Sequence, residues 1–294
     1  MGSEVRLRSI TITGFRRPYA FRAMLGTLLA NDLAGWRILI QVEPSPVAED
    51  FAAIATELLA GHDHDLVFNA SRLGIDENPL RLIERAFAEG SELNLYLEED
   101  LLLAPDVTRL ASWFEQNHRP DWLCLSLISG GCASTGLLSN ADYPALLFAG
   151  RNFNSLGFAV RRAEWHGRMR AAWAAGNGFA YKHDGIRTGG WDWSIYMLLI
   201  AGPQLRTVQP ALARATHNGR LAGEFCTPAF HDRAFADLPT YDGKMPIEDY
   251  RLLPIIELPS VVRRHALLWQ EMTQALGAIS GQARRLAAQR VSAD

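Results

Sequence analysis

What most constrains this chain is the place where a short apolar run stops. Leu95-Tyr96-Leu97 follows the small-residue break Glu89-Gly90-Ser91 and ends abruptly in Glu98-Glu99-Asp100. Leu101-Leu102-Leu103-Ala104-Pro105-Asp106 then returns the chain to apolar packing. A run that short and that apolar predicts a central strand of a mainly parallel sheet, covered on both faces. Three adjacent carboxylates at its end cannot all be desolvated and ionised without a cation or a set of donors close by. Ligand crevices of α/β folds lie at the carboxyl ends of strands, so the stretch predicts a divalent cation on a phosphate there. A solvated acidic turn is the alternative for an isolated triplet, and the apolar residues on both sides argue against it.

The rest of the pattern fits one large α/β unit. Ser9-Ile10-Thr11-Ile12-Thr13-Gly14 predicts a first strand, and Pro18 stands where a helix can begin without losing a hydrogen bond. Phe21, Met24, Leu25, Leu28 and Leu29 give residues 20–31 a helical stripe. Further strands are predicted over 36–43, 65–69 and 122–128, with an edge strand over 204–210. Helices are predicted over 51–59, 79–88, 106–117, 161–175 and 194–200, and the Gly- and Ser-rich residues 129–140 predict a loop. A net charge of −3 gives no electrostatic case for nucleic acid as a partner. The 3 cysteines, Cys124, Cys132 and Cys226, have no CxxC spacing and predict reduced thiols, not a disulfide frame or zinc site. No run has the length of a membrane-spanning helix, and Met1-Gly2-Ser3-Glu4-Val5-Arg6 lacks the apolar core of a signal peptide. A cytoplasmic protein is the expectation.

A second chemical stretch is Thr188-Gly189-Gly190-Trp191-Asp192-Trp193, directly ahead of a predicted helix. An acid there is stabilised by the helix dipole, so a plain cap is one reading of Asp192. Paired glycines that admit a ligand to the backbone, and tryptophans that offer flat faces to sugar rings, favour a site.

These stretches resemble GT-A glycosyltransferases, in particular the N-acetylglucosaminyltransferase I family and its bacterial relatives. Glu98-Glu99-Asp100 with Ala104-Pro105-Asp106 resembles that family's Glu-Asp-Asp-x-x-x-x-Pro-Asp, and Gly190-Trp191-Asp192-Trp193 resembles its Trp-Asp-Asp-Trp with one acid missing. The resemblance implies that Asp100 holds Mn²⁺ or Mg²⁺, that Glu98 and Glu99 contact the nucleotide or the metal's waters, and that Asp192 is the base. It places Thr13 and Arg17 near the nucleotide. It gives Glu43 a hydrogen bond from the uracil N3–H, with an exposed acid beyond a strand end as the even alternative. Arg72 would meet the uracil or the diphosphate, while Asn78 is either part of the same motif or a helix cap. Gly157 with Phe158 would pack under the transferred sugar, with Asn154 and Trp191 as sugar or acceptor contacts. His217, beside Arg214 and Gly219, would be a second metal ligand or a phosphate contact; a lone histidine of no special role is the bland reading.

The resemblance implies a GT-A fold of α/β class, a mixed, mainly parallel sheet flanked by helices, with a carboxy-terminal helical tail. The expected layout is a catalytic domain over 1–222, with a nucleotide-binding half to about residue 106 and an acceptor half over 107–222. An irregular lid or surface tract follows over 223–259, then an amphipathic tail over 260–294 made basic by Arg263, Arg264, Arg284, Arg285 and Arg290. That tail would pack on the domain or on a second copy as a homodimer, or lie peripherally on an anionic membrane face. The implied reaction is inverting transfer from a UDP-sugar to a glycan or lipid-linked saccharide. Two alternatives remain open: a non-catalytic nucleotide- or sugar-binding scaffold, and a sugar-phosphate nucleotidyltransferase. Thr13-Gly14-Phe15-Arg16-Arg17 is a poor first loop for the latter.

Overall fold

Strand, turn and helix alternate through the first hundred residues, and each apolar stripe finds a face of one sheet. A computed structural model describes residues 7–128, 143–176, 180–183, 186–202, 204–220, 228–235, 238 and 240–253. The first part runs β1 (Arg8–Gly14), α1 (Pro18–Leu28), β2 (Trp36–Val42), α2 (Ala48–Leu58), β3 (His64–Phe68), α3 (Gly74–Ala88) and β4 (Leu93–Glu98). β1 lies between β2 and β4, parallel to both, and β3 extends the row from β2. Register pairs Thr13 with Glu98, so the ends of β1 and β4 are level.

The chain continues through β5 (Leu101–Leu103), α4 (Val107–Gln116), β6 (Trp122–Ser126), β7 (Leu146–Gly150) and β8 (Phe158–Arg161). A helical run over 162–176 contains α5 (Arg162–Glu164), a π turn (Trp165–Met169) and α6 (Arg170–Gly176). Then come the hairpin β9 (Ala180–His183) and β10 (Ile186–Gly189), α7 (Trp191–Ala201), β11 (Arg206–Pro210), β12 (Ala215–His217), α8 (Pro228–Phe235) and β13 (Arg251–Leu252). The main sheet has the order β13-β7-β11-β6-β8-β4-β1-β2-β3. β8 is antiparallel to both β4 and β6 and so separates two groups of strands.

Side chains alternate across β4 as a strand buried on both faces requires. Leu93, Leu95 and Leu97 join the layer under α1, α2 and α4. Tyr96 points the other way, into the layer of Phe87, Phe158, Trp165, Trp173 and Trp191 under α3, α6 and α7. On α1, Phe21, Met24, Leu25 and Leu28 are fully buried, each worth about 1.5–3 kcal/mol.

Several boundaries differ from expectation. β11 is interior because β7 and β13 add beyond it. α3 begins at Gly74, ahead of Pro79, and Asn78 is no cap: it is buried inside the helix, where its Oδ1 accepts from Gln41 Nε2 at 2.7 Å and Asn69 Nδ2 at 2.9 Å. α7 begins at Trp191, with Gly190 at the N-cap, so Asp192 lies within the first turn. In the tract after residue 222, Tyr241, Ile247 and Tyr250 are core residues. Cys124 is a free, buried thiol. The loop 129–140, Cys132, Cys226 and the tail 260–294 lie outside the described residues. No described helix is long and apolar enough to cross a membrane.

Candidate functional site

The level ends of β1 and β4 open on a cleft of about 770 Å³. Thr13, Arg17, Glu43, Arg72, Glu98, Glu99, Asp100, Asn154, Asp192 and His217 all reach its wall, joined by Asp192's neighbour Trp193. Gly157 and Trp191 do not.

The three acids of the triplet do different things. Glu99 is spent on the fold: its Oε2 accepts the Phe15 backbone N–H at 2.6 Å and its Oε1 accepts Arg17 Nε at 2.8 Å, which fastens the β1–α1 loop to the end of β4. Arg17 stands at the N-cap of α1, and its side chain turns to the acids and not to the helix. Asp100 is fully buried. Its Oδ2 is in ion-pair contact with Arg17 Nη1 at 2.5 Å and His217 Nε2 at 2.7 Å, and neither of its oxygens has a hydrogen-bond partner of good geometry. Burial works against the Asp100 charge, but His217 and the Arg17 guanidinium outweigh it and hold the carboxyl below its usual range. Glu98 takes the opposite course. Burial first, then the charges of Asp100, Asp192 and Glu99, push it up to about 8 against the pull of Arg17. Its neighbours are Tyr96 Oη and, through it, Thr13 Oγ1 at 3.1 Å.

β12 lies along β5 and brings His217 to Asp100, and Asn218 N–H closes the turn on the Asp100 carbonyl at 2.6 Å. Behind it α8 supplies His231, whose Nε2–H donates to the His217 carbonyl at 2.8 Å, and Phe235, which reaches the cleft. Below this turn Arg214 is fully buried, and its Nε–H is shared between Asp106 Oδ1 at 2.8 Å and Oδ2 at 2.9 Å. The aspartate of the Ala-Pro-Asp motif is therefore a structural anchor for the loop that carries His217.

On the other wall, Glu43 is buried and its carboxylate caps α3 from outside. Oε1 accepts Gly74 N–H at 2.7 Å, and Oε2 accepts Leu73 N–H at 3.0 Å and Asn69 Nδ2 at 3.3 Å. An anion at a helix amino end is favourable, which explains how the helix starts without a cap of its own. The loop so held carries Arg72, whose guanidinium lies 4.7 Å over the Phe15 ring, with Arg16 at 4.2 Å over the same ring. Sequence reasoning passed over Phe15, whose value comes only from these two neighbours.

Asn154 turns the β7–β8 connection by accepting Leu156 N–H at 2.9 Å. Gly157 lies beneath, at φ +82°, where a Cβ would come 2.9 Å from Leu127. Trp191, expected to face a sugar, is instead a core residue, stacked flat on Trp173 at 3.6 Å between centroids. Helix α7 starts one turn early, which turns Trp191 inward and leaves Trp193 on the cleft wall. Burial pushes the Asp192 carboxyl up to about 6, against its backbone donors and with help from Asp76. Asp76 had no signal in the sequence, since its partner at Trp191 is 115 residues away.

Asp100 Oδ1 and His217 Nδ1 are both buried without hydrogen-bond partners on residues that line the cleft. A carboxylate oxygen and an imidazole nitrogen are donors that Mn²⁺ or Mg²⁺ accepts beside phosphate oxygens and water, so the residue types suit such an ion, although His217 here turns its Nε2 to Asp100 Oδ2. Among the described residues no group of three or more His, Cys, Asp or Glu could hold a metal alone.

A mixed, mostly parallel sheet with helices on both faces and a cleft at the ends of β1 and β4 is the GT-A glycosyltransferase fold. Among solved structures, the chain is similar to the mannosyltransferase PcManGT from Pyrobaculum calidifontis in complex with GDP-Man and Mn²⁺. The TM-score is 0.50 at 16% identity over 74% of this chain and 59% of that one. It is also similar to S. aureus TarS 1-349 in complex with UDP (TM-score 0.46, 9% identity, 71% and 59% covered). A third is the apo-form glycosyltransferase GlyE of Streptococcus pneumoniae TIGR4 (TM-score 0.41, 16% identity, 68% and 44% covered). The chain thus spans well under two thirds of each of these proteins. No protein-family model and no curated protein matches it.

Proposed function

We propose that this chain is an inverting glycosyltransferase that moves a sugar from a UDP-sugar to a saccharide acceptor, free or lipid-linked. The observation that carries the reading is the division of labour between two acids on one cleft. Asp100 is held ionised beside Arg17, whereas Asp192 is pushed up to about 6, where a carboxylate is a better base. Acids whose environments drive them apart mark acid–base roles.

Asp100 and His217 would hold a divalent ion, which when bound neutralises charge on the diphosphate. Arg17, held by Glu99 and Asp100, would bring positive charge beside the diphosphate, and Arg72 would bring a guanidinium to diphosphate oxygens or to the base. Trp193 gives the acceptor a flat wall. Asp192 takes the proton of the acceptor hydroxyl as that oxygen attacks the anomeric carbon from the side opposite the leaving diphosphate. One base and one displacement invert the centre.

The test is calorimetric binding of UDP, GDP, CDP and dTDP with and without Mn²⁺, on wild type and Asp100→Ala, followed by turnover of UDP-sugars. Binding of UDP that needs Mn²⁺ and disappears in Asp100→Ala is the expected result. A protein that binds none of the four under any metal condition is not this enzyme. Tight binding without transfer to any acceptor would leave a nucleotide-binding scaffold.

A further inference from the structure

The amino end of α7 has no cap of its own. Gly190 occupies the N-cap position and brings no side chain to the N–H groups of the first turn; within the helix the Asp192 carboxylate takes those of Asp192 and Trp193, and Trp191 N–H needs an acceptor from outside. Asp76, in the first turn of α3, supplies one: its Oδ1 accepts Trp191 N–H at 3.4 Å. The carbonyl of the same residue accepts Trp173 Nε1–H at 2.9 Å, and Trp173 lies parallel to Trp191 within 5°. Gly190 leaves the room for this. A Cβ there would stand 3.3 Å from Asp192 Oδ1 and 3.6 Å from Asp76 Oδ1, on a backbone at φ +123° that side chains rarely adopt. Two carboxylates thus flank one glycine, within about 7 Å of each other.

The first turn of α3 is itself held from the other end by Glu43, through Leu73 and Gly74. A single arm of fixed contacts therefore runs from the end of β2, past Arg72, to the start of α7.

We infer that Asp76 is a positioning residue for Asp192: it fixes the start of α7, and its negative charge beside Asp192 favours the protonated product of the base step. The inference rests on Asp192 as the base. Among the described residues, the charge acting on Asp192 is that of Asp76 from α3; Glu98, at the end of β4, is pushed up to about 8 and so is uncharged where Asp192 titrates. α6 contributes only the Trp173 ring, and the backbone N–H groups of Asp192 and Trp193 pull the other way. The arm also means that a nucleotide seated against Arg72 bears on the element that aims the base.

Asp76→Asn keeps an oxygen for Trp191 N–H and removes the charge, so it separates the two effects. We would titrate the Asp192 carboxyl by carbon NMR in the resting protein and measure kcat against pH in parallel. In Asp76→Asn the Asp192 titration and the acid limb of kcat should both move down, by less than the share of the shift that burial supplies, with donor KM unchanged. Asp76→Glu should restore the wild-type midpoint, and Asp76→Ala should lower kcat at every pH. An Asp192 midpoint in Asp76→Asn equal to that of wild type overturns the inference while leaving the base reading intact. Transfer at the wild-type rate by Asp192→Asn would overturn the base reading itself, and this inference with it.

Discussion

Gly219 is the place where one methyl group should separate stability from function. A Cβ at this position would lie 2.6 Å from both Arg17 Nη1 and His217 Cε1, and closer still to Asp100 Oδ2. Ordinary contacts between such atoms begin near 3.4 Å, so all three groups must give way by most of an ångström. Asp100 is fully buried and cannot swing into solvent, and the backbone at Gly219 is not left-handed, so the effect of Gly219→Ala is steric. Overpacking of this kind costs about 1–3 kcal/mol. In a domain of this size that is a Tm lower by about 2–6 °C. The displaced atoms are the same ones that would meet the metal and the diphosphate. Metal-dependent nucleotide affinity should therefore fall by at least about tenfold, equivalent to ~1.4 kcal/mol. Gly26→Ala on α1 is the control, because nothing lies within 4 Å of its Cβ position. It should gain up to about 1 kcal/mol from helix propensity and leave binding alone. Differential scanning calorimetry and titration calorimetry read both quantities. If Gly219→Ala melts with wild type and binds nucleotide equally well, the crowded turn described here does not exist.

Two further outcomes follow from buried acids. Asp106→Asn leaves the fully buried Arg214 without its countercharge and should cost about 3–5 kcal/mol, seen as a lower urea midpoint at unchanged slope; a midpoint equal to wild type would show that Asp106 is not the anchor. Asp192 has the opposite sign. With its folded value near 6, raised above the usual 3.8, the ionised form is disfavoured in the folded state above pH 6, and stability is regained as pH falls from about 6 toward 4. Asp192→Asn should then be more stable than wild type at pH 8, by on the order of 1 kcal/mol after allowance for partial exposure, and no more stable at pH 4. Its transfer rate should drop by about 10²-fold or more. A variant destabilised at pH 8 would contradict the direction assigned to Asp192.

The parts of this protein legible in its sequence are those in which one period dominates. The strands that became β1, β2 and β4 and the stripe of α1 need only neighbours in the chain to show their pattern. The stop of Leu95-Tyr96-Leu97 in three acids marked the cleft for the same reason. β7 was not legible: Leu146–Gly150 is a five-residue apolar run beside Pro144, and its partner β11 is settled only by tertiary pairing. Helix starts were misjudged at α3 and α7 because both are capped in trans, by Glu43 and Asp76, and no local spacing reports such a cap. The same cause turned Trp191 into the core in place of the cleft. Only the resemblance ranked the acids of the triplet, with Asp100 for the metal and Glu98 and Glu99 for the nucleotide; residue type alone does not report which of them faces Phe15 and Arg17 and which faces His217.

The antiparallel strand β8 has a consequence for how the chain acquires its structure. Once Glu98 has been synthesised, every strand of the row β3-β2-β1-β4 exists, and all three pairings in it are parallel. The other row, β6, β11, β7 and β13, draws on segments from Trp122 to Leu252, and β13 closes against β7 only at its very end. The two rows therefore differ less in the span of their closures, since β1–β4 reaches as far along the chain as β6–β11, than in when they can be completed. A ribosome delivers the first row complete while the second is still missing its edge, and β8 is the seam on which the late half must be laid down.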